Sequence, residues 1–131
     1  MKGILTPKQA GNILLVIFSL MILFHIVVLL GFVPINMVWG GRVETREELV
    51  YFELFSIAVT VVAILAVTIR TGYLNWPRFM SAAKVAMWIL FALFVLNTIG
   101  NAFAVTNIER YGAGIVTLLL SFLSWRVAVE K

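Results

Sequence analysis

The sequence predicts an all-α integral membrane protein, an antiparallel bundle of four transmembrane helices with both termini cytoplasmic. Three observations predict it. Hydrophobic residues make up 63% of the 131-residue chain and charged residues only 12%, against ~25% charged in a soluble domain. Mean hydropathy is +1.07. Continuous apolar runs occupy 13–32, 49–69, 85–104 and 115–129. A helix needs about 20 apolar residues to cross the hydrocarbon core, and a membrane strand only about 10, with alternating polarity. The runs are long and unbroken, which selects helices, and they form a single domain over 1–131.

The elements follow from local signals. Thr6-Pro7-Lys8-Gln9 reads as a Thr N-cap, a proline at the first helical position and a glutamine completing a capping box. Pro34 cannot continue that helix. Thr45-Arg46-Glu47-Glu48 repeats the capping pattern, so the second helix starts near Arg46, and Gly72 suits its end. Asn75-Trp76-Pro77 is the turn into the third helix. The fourth apolar run is short and lengthens upstream through Arg110, Tyr111 and the two glycines. The expected spans are therefore 7–32, 46–70, 78–104 and 112–129, joined by short loops that make consecutive helices antiparallel neighbours. The first apolar stretch is too long for a cleaved signal peptide and lacks a small-x-small site after it. The two halves share neither spacing nor polar positions, so no inverted repeat is indicated.

Basic residues set the expected orientation. Seven lie on one side (Lys2, Lys8, Arg70, Arg78, Lys84, Arg126 and Lys131) and three on the other (Arg42, Arg46 and Arg110). The richer side, with both termini, is expected to be cytoplasmic. Tyr73, Trp76, Trp88 and Trp125 fall near that interface, and Trp39, Tyr51 and Tyr111 near the outer one.

Composition also removes functions. The chain has no Cys, which excludes disulfides, thiolate metal sites and dithiol redox chemistry. It also has no Asp, which removes most Mg²⁺ and Ca²⁺ cages. No phosphate-binding loop, dinucleotide turn or zinc spacing appears, so neither a cofactor nor a metal site is expected. The basic residues line a membrane face rather than a nucleic-acid surface.

Ionisable residues inside a bilayer are expensive and mark functional candidates. His25, late in the first helix, and Glu53, early in the second, both lie roughly 10 Å below the outer interface by helical rise. Asn97 reaches the same depth in the third helix, with Asn101 one turn further out, and Thr117 and Ser121 complete the layer from the fourth. Asn97 and Asn101 share a face at i, i+4, as do Glu53, Ser56 and Thr60 at i, i+3, i+7. Gly114, Thr117, Ser121, Ser124 and Ala128 form a small, polar stripe, and Gly100 with Ala104 forms a second small pair. These stripes are expected to face one another across the interior. For the hydroxyls, helix-packing glue is the favoured reading. Glu53 could instead be a shallow carboxylate paired with Arg42 or Arg46. The loop over 33–46 is too apolar for a solvated segment, so Trp39 and its neighbours should lie on the membrane surface or fold back over the bundle. Gly40-Gly41 permits a turn that points Arg42 toward Glu53, or leaves it snorkelling to phosphate.

Trp39-Gly40-Gly41-Arg42, Phe52-Glu53 and Leu96-Asn97-Thr98-Ile99-Gly100-Asn101 resemble signature segments of a family of small four-span bacterial membrane proteins of uncharacterised activity. The resemblance covers most of the chain and implies a bacterial inner-membrane location but no activity. Its segments contain Arg42, Glu53, Asn97 and Asn101, which the depth argument selects separately. Small multidrug exporters are similar in size and also carry one membrane glutamate, but theirs lies in the first helix.

The expected function is a polar intramembrane site in the outer half of the bundle, formed by His25, Arg42, Glu53, Asn97 and Asn101. It would bind or transport a small polar or amphipathic ligand or an ion, transport requiring a homo-oligomer. The alternative is a non-catalytic accessory or assembly subunit of a larger membrane complex. An enzyme using His25 and Glu53 as an acid/base pair ranks third, for want of a nucleophile or cofactor motif.

Overall fold

The computed structural model describes residues 5–35, 38, 43–103 and 108–129. They form four helices: α1 (Pro7–Leu29), α2 (Arg46–Thr71), α3 (Met80–Ala102) and α4 (Gly114–Ala128). A 3₁₀ turn, Pro77–Phe79, leads into α3, and a π-helical turn, Ile108–Ala113, leads into α4. No strand occurs among the described residues. All four helices are long and apolar enough to cross a membrane, counting α4 from Tyr111 and α3 from Pro77, with mean hydropathies from 2.8 down to 1.4. The chain thus has the make-up of a multi-pass membrane protein.

The helix ends follow the expected local chemistry. The Thr6 hydroxyl accepts from Gln9 N at 3.0 Å, and Gln9 Oε1 accepts from Thr6 N at 2.9 Å, a complete capping box. Thr45 accepts from Glu48 N at 3.1 Å to open α2. Gly72 closes α2 at φ 88°, in the left-handed region open to glycine. The end of α1 comes earlier than Pro34 alone would place it. Gly31 adopts φ 89°, its N–H donates to Val28 O and that of Phe32 to Val27 O. This reciprocal cap stops the helix at Leu29, short of the expected 32. The added length of the fourth span upstream of Gly114 is a π-helical turn, not a regular α-helix.

Each helix packs on its chain neighbours, and α4 returns to α1, so the four close a ring. Contacts fix the directions. Asn12, early in α1, accepts from Tyr73 Oη just after α2 at 2.6 Å, while His25, late in α1, meets Glu53, early in α2. Thr98, late in α3, meets Thr117, early in α4. The bundle is therefore up-down-up-down. Its core runs through Leu14, Phe18, Val67, Met87, Phe94, Leu120 and Leu123, with Phe18 and Phe94 stacked at 6.1 Å. A second cluster packs Val38 and Val43, between the two helices in sequence, against Val28 of α1 and Leu49 of α2.

α1 and α2 pack closely near the termini, at Gly11 and Thr71. A Cβ placed on buried Gly11 would collide with Cγ2 of Thr71, whose hydroxyl is tied to Val67 O at 2.8 Å and so resists rotation. Gly11→Val is expected to destabilise the bundle by about 1–2 kcal/mol through overpacking. Reversible unfolding of both proteins in mixed micelles measures this directly; an unchanged midpoint would mean the two helices can part at no cost.

Candidate functional site

α1 brings His25 and α2 brings Glu53 to the same level, and the two side chains meet, Nδ1 of His25 against Oε2 of Glu53. Helical spacing explains the meeting. Leu14, Phe18 and Val28 set the buried face of α1, and His25 lies seven residues after Phe18 and three before Val28. Glu53 lies four residues after buried Leu49 and seven before buried Thr60. The Glu53 side chain is 1% exposed and that of His25 12%. Above the pair sits the Val28, Val38, Val43 and Leu49 cluster; below it begins the main core. The ring of Phe24 tilts against the imidazole at 5.9 Å.

The chemistry follows from this geometry. With Glu53 ionised, its oxygen can only accept, so His25 Nδ1 carries the proton and Nε2 is left as a lone-pair nitrogen in the neutral ring. A second proton at Nε2 turns the pair into an imidazolium–carboxylate. Two titratable groups from two helices, in hydrogen-bond contact inside an apolar span, can hold a proton, a small cation or a hydrogen-bonding ligand. No group of three metal-type side chains clusters among the described residues.

Arg46 goes elsewhere. Its guanidinium donates to carbonyls at the end of α1, to Leu29 O and, at 3.3 Å, to Val28 O, which also accepts from Gly31 N–H. The Glu53 carboxylate meets His25 instead. Arg42 and Trp39 lie outside the described residues, as does Ala104.

The amides do not join the pair. Asn101 is half-buried, and Asn97 is exposed. On α3 the buried face is Ala83, Met87, Leu90 and Phe94, and the next inward residue is Thr98. Its Oγ1 lies within hydrogen-bond distance of Thr117 Oγ1 at 3.0 Å and of Phe94 O at 2.8 Å, the single hydroxyl proton shared between them. Asn97, one residue earlier, is turned about 100° from it. The expected single polar layer therefore divides into two pairs on opposite sides of the ring, His25–Glu53 between α1 and α2 and Thr98–Thr117 between α3 and α4. Thr98 was legible only as the continuation of that buried face by four residues. The α4 stripe does face inward, with Gly114, Ser121, Ser124 and Ala128 buried and Thr117 half-buried. Its hydroxyls, like those of Thr60, largely bond back within their own helices: Ser121 to Leu118 O at 2.7 Å and Thr60 to Ser56 O at 2.7 Å.

Compared with known proteins, the chain matches no family model, no curated protein and no solved structure.

Proposed function

We propose that this is a bacterial inner-membrane protein that binds a small cation or amine-bearing ligand at the His25–Glu53 pair. The pair sits in the outer half of the bundle, with both termini on the cytoplasmic side. The observation that carries this reading is the buried contact between the two ionisable side chains, each supplied by a different helix. A purely structural seam would be served as well or better by packed apolar side chains, so keeping a carboxylate and an imidazole inside the span argues for a use of their charge and protons. Glu53 supplies the charged anchor. His25 is the titratable partner, able to give or take a proton as a cation leaves or arrives.

The interior below the pair is filled by Phe18, Leu14, Met87 and Leu123. Passage along the axis of a single bundle is blocked by this packing, so any movement of ligand across the membrane runs at an interface between copies.

A panel of Na⁺, Li⁺ and methylammonium, added to the full chain in a membrane mimetic, tests the reading. Binding to the native state raises thermal stability in proportion to occupancy. At least one probe is expected to raise the wild-type melting temperature, and Glu53→Gln to abolish that rise. Equal shifts in the two proteins, or no shift in the wild type with any probe, would overturn it.

A further inference from the structure

We infer that the protein forms a twofold homodimer through the α3 face carrying Asn97 and Gly100, with the two Asn97 carboxamides hydrogen-bonded to each other across the axis. This goes beyond ligand binding and does not depend on it.

The first observation is Asn97 itself. It is exposed on an apolar helix, one turn beyond Leu93 and beside Leu96, both of which are exposed too. Its side chain hydrogen-bonds to no other described residue. A carboxamide facing hydrocarbon leaves two donors and a carbonyl acceptor unsatisfied.

The second observation is Gly100, three residues further along the same face. A Cβ there would meet nothing within 4 Å, so no packing among the described residues demands glycine. Glycine inside a helix is unfavourable, and an exposed one lets a neighbouring helix in the membrane come close. The third is shape. Toward the termini this face continues into an apolar groove of about 340 Å³ between α2 and α3, lined by Val59, Val62, Ile89 and Leu93 among others. The groove offers a recess for side chains of an approaching helix.

Complementarity selects the occupant. A lipid ester or acyl chain has no donor to offer, so the Asn97 carbonyl would stay unsatisfied. A second Asn97 offers both a donor and an acceptor, and a residue on a twofold axis meets its own copy. Two copies inserted in the same direction bring their α3 helices together in parallel, which places Asn97 opposite Asn97.

The chain lacks cysteine, so a single introduced one reports proximity cleanly. Leu93→Cys, with Asn97 intact, is expected to cross-link to a dimer in lipid bilayers. Val16→Cys, exposed on α1 diagonally across the ring, is expected not to. In the Leu93→Cys background, Asn97→Leu and Gly100→Leu should each raise the dimer dissociation constant about tenfold, and Asn97→Gln should retain most of the dimer. Because the Asn97 side chain has no hydrogen bond to a described residue, the unfolding midpoint of the monomer should stay unchanged in Asn97→Leu, which separates a lost interface from a lost fold. The inference is overturned by equal cross-linking from Val16→Cys. It is equally overturned by a dimer indifferent to Asn97→Leu, or by a monomer, alone or with a bound lipid or unrelated chain, at every protein-to-lipid ratio.

Discussion

Glu53→Leu, with His25 left in place, is expected to lower the unfolding free energy of the bundle by about 3 kcal/mol. The loss comes less from the missing contact than from what remains. The His25 side chain is only 12% exposed, and without the carboxylate its Nδ1–H loses the acceptor it meets in the bundle. His25→Leu should also destabilise the bundle, because it takes the imidazole away from a carboxylate that is 1% exposed. The double variant should be more stable than Glu53→Leu alone, since replacing the imidazole as well removes the polar atom left without its carboxylate. A double-mutant cycle by reversible unfolding in mixed micelles measures this. Single losses that simply add in the double variant would show the two side chains to be energetically independent.

Arg70→Leu carries the next largest effect, about 2 kcal/mol, the size of a charged hydrogen bond to partly buried acceptors. Arg70 ends α2, and its guanidinium donates to Val127 O at 3.1 Å and Ala128 O at 3.5 Å, at the end of α4. Its other terminal nitrogen lies 3.4 Å from Met80 Sδ at the start of α3. Those α4 carbonyls have no donors within their own helix, and the helix dipole concentrates negative charge there. One side chain thus ties three helices at the end of the bundle near the termini, as Arg46 ties α2 to α1 at the other. Arg70→Lys should restore only part of the loss, since an ammonium cannot reproduce the planar fork. The same unfolding assay decides it; wild-type stability in Arg70→Leu would reduce this contact to a surface ornament.

Much of the fold could be read from residues alone because helix ends are local. Thr6 with Gln9, Thr45 and Gly72 do in the structure what their types suggest in the sequence. Gly31 was equally legible by its type, and it, not Pro34, sets the end of α1. Depth was legible too, because a fixed rise per residue brings His25 and Glu53 to one level. Rotation about the helix axis was not. In a soluble helix polar residues mark the outside, but in an apolar span the buried face of α3 (Ala83, Met87, Leu90, Phe94) and its exposed face (Val85, Ile89, Leu93, Leu96) have the same chemistry. The i, i+4 spacing of Asn97 and Asn101 says that they lie close together, not which way they point. Thr98 points inward by a difference of one residue. The roles of Arg46 and Arg70 escaped for another reason: their partners are backbone carbonyls, which every residue carries and no sequence distinguishes.

We propose that Glu53 and His25 hold a ligand, and native mass spectrometry of the full chain, extracted gently from its own membrane, would reveal it. The predicted result is a protein ion carrying a small additional mass that is absent from the Glu53→Gln variant prepared in the same way. Bare chain in both preparations, or the same added mass in both, would contradict it and leave the pair as a structural clasp between α1 and α2.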